Sequence, residues 1–192
     1  RWCTDRQRRL IYASSAATYG DGHLGFRDDN SFESLAALRP LNAYGWSKAQ
    51  FDLFAVRQAA REYAPPQWAG LKFFNVYGPN ERHKGAMKSV VAQIWPKVAA
   101  GEGVQLFKSH REGVPDGGQM RDFVYVRDVA DVIAWLAANP QVNGVYNLGS
   151  GQARSFADLA KATFAAAGQE PAIDYVPTPV AIRDKYQYFT EA

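Results

Sequence analysis

The segment "AYGWSKAQF" sets Tyr44 and Lys48 four residues apart. On a helix that spacing puts both side chains on one face. A phenol ordinarily ionises near ~10, and an adjacent ammonium favours the phenolate. A tyrosine so placed can take the proton of an alcohol as hydride leaves for an oxidised dinucleotide, and can return it when hydride comes back. The lysine has a second use, because its three donors suit the ribose hydroxyls of the same cofactor. The spacing alone is a weak signal, since a solvated i,i+4 pair on a helix surface looks the same. Its weight comes from what must surround it.

The first support is the stretch "RLIYASSAATYG", in which an apolar run meets two adjacent hydroxyls, Ser14 and Ser15. Residues 9–14 read as a strand, followed by a polar loop over 20–43 and a helix over 44–63 that carries the Tyr/Lys pair. Pro65-Pro66 closes that helix, and "GLKFFNV" (70–76) is the next strand. Residues 85–100 read as mostly helical, with Pro96 expected to kink or divide them. A short strand at 104–107 precedes a loop to Gln119. "RDFVYV" (121–126) is a strand feeding a helix over 128–139, and "GVYNLG" is another strand. Ser155 with Asp158 predicts a capping box on a helix closed by Gly168, and "AIDYV" is the last strand. Strand–helix alternation predicts an α/β fold with a substantially parallel sheet. Ligands in such sheets lie beyond the carboxyl ends of strands. Polar residues stand at three strand ends: Ser14-Ser15, Asn75, and Arg121 with the segment that follows it.

Composition removes other classes. The chain has 192 residues, is 47% hydrophobic and carries a formal charge of +3, too little and too evenly spread for a nucleic-acid binder. No apolar run approaches the length of a membrane span. One cysteine, Cys3, excludes a disulfide framework and predicts a reducing compartment.

"YASSAATYG", "PLNAYGWSK", "FFNVYGPNERHKGAM", "MRDFVYVRDVADV" and "GVYNLGSG" occur in this order over nearly the whole chain. Together they resemble the extended short-chain dehydrogenase/reductase family of epimerases and dehydratases, and most closely its epimerases that act at C6 of an ADP-linked heptose. The resemblance implies a Rossmann-like, doubly wound parallel sheet with a smaller mixed α/β substrate-binding lobe. Residues 1–80 would be the second half of the nucleotide-binding domain. Residues 81–192 would be mainly the lobe, with 121–150 returning to the sheet. It also implies transient oxidation of a carbinol by NADP, with NAD as the alternative, and hydride return to the opposite face. Tyr44 and Lys84 would be the acid/base groups, Ser15 would position the reacting oxygen, and Lys48 would hold the cofactor. Val76, Tyr44, Lys48 and Lys84 would face the cofactor. Asn75, Ala86, Gln93, Phe107, Lys108, Ser109, His110, Arg121 and Tyr186 would meet the substrate, Arg121 at its diphosphate. The implied setting is cytoplasmic synthesis of a lipopolysaccharide precursor by a homo-oligomer, pentameric in the family, with no nucleic-acid or membrane partner.

The sequence departs from the family pattern at Ala86, where serine is usual, and at Gln93, where histidine is frequent. No Gly-rich phosphate turn of the G-x-G-x-x-G or G-x-x-G-x-x-G kind precedes Arg9, so the N-terminal βαβ units that cradle the cofactor pyrophosphate are expected to be missing. The expectation is a piece of a longer enzyme that alone neither binds NADP tightly nor turns over. Two other readings remain: another nucleotide-sugar enzyme, such as a UDP-hexose 4-epimerase, and a non-catalytic dinucleotide-binding relative. A 4,6-dehydratase is disfavoured because Ala16-Ala17 stand where it carries acids.

Overall fold

The computed structural model describes residues 1–183 and 187–192. In chain order the elements are α1 (Trp2–Asp5), β1 (Leu10–Ser15), α2 (Phe32–Ala37), α3 (Ala43–Ala60), β2 (Trp68–Phe73), β3 (Asn75–Tyr77), α4 (Val90–Ala99), β4 (Val104–Phe107), β5 (Met120–Tyr125), α5 (Val126–Ala138), β6 (Gly144–Leu148), β7 (Ala153–Ser155), α6 (Phe156–Ala166), β8 (Ile173–Val176) and α7 (Val180–Arg183). Short 3-10 turns occupy Ala16–Tyr19 and Arg82–Met87. No described helix is long and apolar enough to cross a membrane.

The chain divides into two compact units. The first comprises Arg1–Phe74, Arg127–Gly149 and Ala192; the second comprises Asn75–Val126 and Ser150–Glu191. In the first, β1, β2 and β6 form a parallel sheet in the order β1-β2-β6. Parallel neighbours need a crossover, and α3 supplies the one between β1 and β2. The register sets Tyr12 opposite Gly70, and a Cβ on Gly70 would lie 2.4 Å from the Tyr12 ring. Only glycine leaves room for that ring across the strand. Ala16, Tyr19, Leu35, Leu38 and Phe74 form a core cluster that draws the 3-10 turn and α2 onto the sheet. Buried Gln67 donates to the carbonyls of Leu136 (2.9 Å) and Asn139 (3.1 Å). It thereby ties the start of β2 to the end of α5, adding a second donor to carbonyls that also accept from Asn139 N and Val142 N at 3.1 Å.

In the second unit β3 pairs parallel with β5, β5 pairs antiparallel with β7, and β4 pairs parallel with β8. Its core is Ile94, Val98, Val104, Leu106, Ala160 and Phe164, contributed by α4, β4 and α6. The Ser155/Asp158 capping box forms as expected, and Gly168 follows α6 with φ of 66°.

Several expectations need correction. The polar loop over 20–43 contains α2, capped by Ser31, whose Oγ accepts from Ser34 N at 3.2 Å; six residues are too few for periodicity to register. The strand expected at 70–76 is two strands, broken at Phe74, whose N–H turns to the Leu148 carbonyl at 3.1 Å. Pro96 neither divides nor ends its helix, since α4 runs through it. The break falls earlier, at Gly85 (φ 55°) and at Ser89, which caps α4. Ala153–Ser155, unassigned in the sequence reading, is β7.

Candidate active site

β1 delivers Ser14 and Ser15 at its carboxyl end, and they point to opposite faces because side chains alternate along a strand. Ser15 caps the following 3-10 turn, its Oγ accepting from Ala17 N at 3.1 Å. Among the described residues its own hydroxyl hydrogen has no acceptor, so it can still donate to a ligand oxygen. Asn42 caps α3, its Oδ1 accepting from Gly45 N at 2.8 Å. Tyr44 therefore sits in the first turn of α3, 56% exposed, with no hydrogen bond from its hydroxyl among the described residues. Lys48 lies one turn on, its Nζ 5.6 Å from the Tyr44 ring centroid and donating to the Ala13 carbonyl at 2.9 Å. One ammonium thus ties the Tyr44 face of α3 to the end of β1. Two of its three donors are uncommitted, and with the Tyr44 hydroxyl they fit the ribose hydroxyls and proton transfer of a nicotinamide cofactor.

The sequence reading missed what lies under this pair. Asp52 is one turn beyond Lys48 on the same face, and it is 1% exposed. It accepts from Ser14 Oγ at 2.6 Å and from Tyr12 OH at 3.0 Å. Burial pushes its carboxyl above the usual carboxylate range, against the opposing pull of Ser14, Lys72, Tyr12 and Lys48. Burial likewise raises the Tyr12 phenol, and the Asp52 charge adds to that rise. The spacing of Asp52, i+8 from Tyr44 and i+4 from Lys48, puts it on the face of that pair, but spacing does not distinguish a buried acid there from a solvated one.

Close approach matters most at Gly45. A Cβ there would lie 2.7 Å from the Ala17 carbonyl oxygen and 2.9 Å from Pro40 Cβ. Gly→Ala inside a helix ordinarily gains up to about 1 kcal/mol. At Gly45 the sign is expected to reverse, with Gly45→Ala costing about 1–3 kcal/mol through overpacking. Urea unfolding of the chain checks this; an unchanged or raised midpoint refutes the close-packing account.

The remaining expected residues lie in the second unit. Asn75 is exposed at the start of β3, and Val76 is half-buried beside it. Lys84 sits on the 3-10 turn, its side chain 40% exposed and its Nζ 3.3 Å from Glu81 Oε2. Its charged neighbour there is an anion. Glu81 is buried and also accepts from Gly78 N, Ser89 N and Ser89 Oγ. Burial alone would raise its carboxyl, but these donors and Lys84 hold it below the ordinary range. It is the organiser of the loop that presents Lys84 and Ala86, and sequence reasoning passed over it.

Gln93 and Phe107, named separately in the sequence reading, line one cavity of about 190 Å³ with Gln119 and Phe156. Lys108 extends β4, its N–H donating to the Val176 carbonyl at 2.7 Å. Ser109 and His110 gather about Tyr188, whose hydroxyl accepts from His110 N at 2.9 Å and lies 3.0 Å from His110 Nδ1. Tyr186, the late aromatic named from the sequence, lies outside the described residues, whereas Tyr188 went unnamed. Arg121 is buried. Its guanidinium donates to the Gln187 carbonyl and, at 2.8 Å, to that of Met120, and lies 5.7 Å from the Phe156 ring centroid. Asp122 accepts from Ser150 N, Ser150 Oγ and Gly151 N.

The chain has counterparts among known proteins. The model of the NAD dependent epimerase/dehydratase family matches residues 1–149. The chain belongs to that family. It is 50% identical over 190 residues to the ADP-L-glycero-D-manno-heptose-6-epimerase of Nitratidesulfovibrio vulgaris, covering 99% of this chain and 57% of that protein. Against the protein of the same name from Fusobacterium nucleatum, identity is 48% over 197 residues, covering 100% of this chain and 58% of the other. The chain therefore spans somewhat over half the length of the curated relatives it matches. Among solved structures, the Thermus thermophilus UDP-glucose 4-epimerase in complex with NAD superposes with a TM-score of 0.74 at 29% identity, over 97% of this chain and 56% of that one. The Helicobacter pylori ADP-L-glycero-D-manno-heptose-6-epimerase superposes with 0.66 at 28%, over 98% and 57%.

Proposed function

We propose that this chain is part of an isomerase that inverts C6 of an ADP-linked heptose by transient oxidation and reduction, converting the D-glycero to the L-glycero epimer. The observation that carries the redox half is Lys48, which is tied to the end of β1 beside Ser15 and lies over the Tyr44 ring. The substrate half is supported by relatives of that name at about 50% identity. A secondary carbinol has no neighbouring carbonyl to stabilise a carbanion, so direct deprotonation at carbon is closed to it. A bound nicotinamide dinucleotide, NADP or NAD, supplies the hydride acceptor and donor.

The protein's part is proton handling and orientation. Tyr44 takes the hydroxyl proton and gives it back, in a role that needs its hydroxyl unclaimed by other protein groups. Lys48 keeps one donor on Ala13 and offers two to the cofactor ribose, which fixes the helix against the strand end at the same time. Ser15 donates to the reacting oxygen with the hydrogen that its capping bond leaves available. Lys84 is the second proton-transfer group, held on its loop by Glu81. Arg121 and the Phe107–His110 segment receive the nucleotide, and the working enzyme is a homo-oligomer. Exposed Trp46, Phe51 and Phe54 on α3 support the oligomer, because apolar side chains of that size favour cover.

The test is to incubate the protein that carries this chain with the D-glycero ADP-heptose and NADP and to follow the C6 epimer by NMR. Conversion supports the reading, and inert substrate overturns it. A UDP-hexose 4-epimerase is the second reading, favoured by the higher TM-score of the Thermus enzyme. Replacing Lys84 by methionine is expected to cut heptose turnover by about 10²–10⁴-fold. A 4-epimerase would keep its activity on a UDP-hexose after that change.

A further inference from the structure

Lys72 is a buried charge that the proposed chemistry leaves unused. It projects from β2 and is 2% exposed, with its ammonium 4.1 Å from the Tyr19 ring centroid. Among the described residues that ammonium makes no hydrogen bond or ion pair. The acids around it are committed to other donors. Asp52 takes Ser14 and Tyr12, Asp28 takes the Asn147 N–H, and Asp29 takes Ser31 N and Ser34 Oγ at 2.8 and 2.6 Å. A buried ammonium without an acceptor is costly. Burial accordingly lowers Lys72 to about 8, although Asp52 and Asp28 pull the other way.

The same ammonium faces a cavity of about 230 Å³ whose wall includes Arg27, Asp29 and Ser34, with Leu24 and Leu35 as apolar surface. The cavity lies wholly within the first unit. An occupant that carries an acceptor would relieve the Lys72 deficit, and Arg27 adds a second cation. Asp29 on the same wall repels high charge, so a di- or triphosphate fits poorly. We propose that this cavity is a binding site for a small molecule bearing a single oxyanion, a carboxylate or a monophosphate, seated on the Lys72 ammonium with Arg27 at its side.

The experiment is competitive acylation of the full chain with a succinimidyl acetate, each lysine being read by peptide mass spectrometry. Inorganic phosphate or acetate is titrated against chloride at constant ionic strength. Saturable protection of Lys72 is expected, about tenfold at ten times the Kd, with exposed Lys97 and Lys161 unaffected. Protection by phosphate alone identifies a phosphate site, and protection by acetate alone a carboxylate site. Arg27→Ala should weaken the protection, and Lys72→Met should abolish any rise in Tm caused by the protecting anion. Equal labelling of Lys72 with and without both anions overturns the proposal. So does a phosphate-induced rise in Tm that survives Lys72→Met. Should Lys72→Met fail to fold, the protection seen in the unaltered chain and in Arg27→Ala still decides.

Discussion

Replacing Tyr44 by phenylalanine is expected to lower turnover of the protein that carries this chain by about 10²–10⁴-fold. Substrate binding should stay within a few fold, because the phenol acts on a proton that moves only in the transition state. The change removes one oxygen and leaves the helix intact. Tyr44 is 56% exposed, its hydroxyl holds nothing in place among the described residues, and the Asn42 cap and the Lys48–Ala13 bond do not depend on it. Loss of activity can therefore be read as chemistry rather than unfolding, and urea unfolding of the variant should match the unaltered protein. Steady-state kinetics provide the check. Turnover within threefold of the unaltered enzyme would remove Tyr44 from the proton-transfer role and favour a non-catalytic relative.

Asp52→Ala is expected to destabilise the chain by about 2–5 kcal/mol, at about 1–3 kcal/mol for each buried hydroxyl left without its acceptor. Three groups lose by it at once. Ser14 Oγ and Tyr12 OH lose their acceptor, and Lys72, already lowered to about 8 by burial, loses a compensating negative charge. Asp52→Asn keeps an acceptor oxygen and should cost less. The two variants also differ in pH dependence. The Asp52 carboxyl is raised above its ordinary 3.8, so its own contribution to stability is complete below that pH. It is lost as pH rises through the raised folded value. The margin of the unaltered chain over Asp52→Asn should therefore be widest at and below pH 3.8 and narrow as pH rises toward neutrality. Urea titrations at several pH values measure this. A margin that instead grows with pH, or an Asp52→Ala midpoint equal to that of the unaltered chain, contradicts the network described.

Much of the candidate site was legible in the sequence because its chemistry is written in short range. Tyr44 and Lys48 share a helical face by spacing alone. Ser15 ends a strand that apolar content announces, and the Ser155/Asp158 box is a local bargain between residues three apart. The α/β class follows from alternation, which is a property of the chain order. Elements too short to show a repeating pattern escaped: α2 has six residues and β7 three, and tertiary pairing rather than propensity holds them. Pro96 misled for a related reason, since its cost to α4 is offset by the packing of Ile94 and Val98 into a core that local sequence does not display.

Tertiary structure alone decided which polar side chains are inside. Lys72 is an ordinary strand lysine by sequence, and Asp52 an ordinary helix acid. Only the parallel pairing of β1 with β2 under α3 places both inside, where desolvation moves their titration toward the neutral forms. Glu81 became the holder of Lys84 in the same way, through a loop closure onto Ser89 eight residues away. The sequence by itself determined that Tyr44 and Lys48 share a helical face, that a strand ends at Ser15, and the α/β class, because each rests on spacing along the chain. Burial, and with it the charge state of Asp52, Lys72 and Glu81, was decided by the fold, because desolvation depends on neighbours from other elements that no spacing specifies.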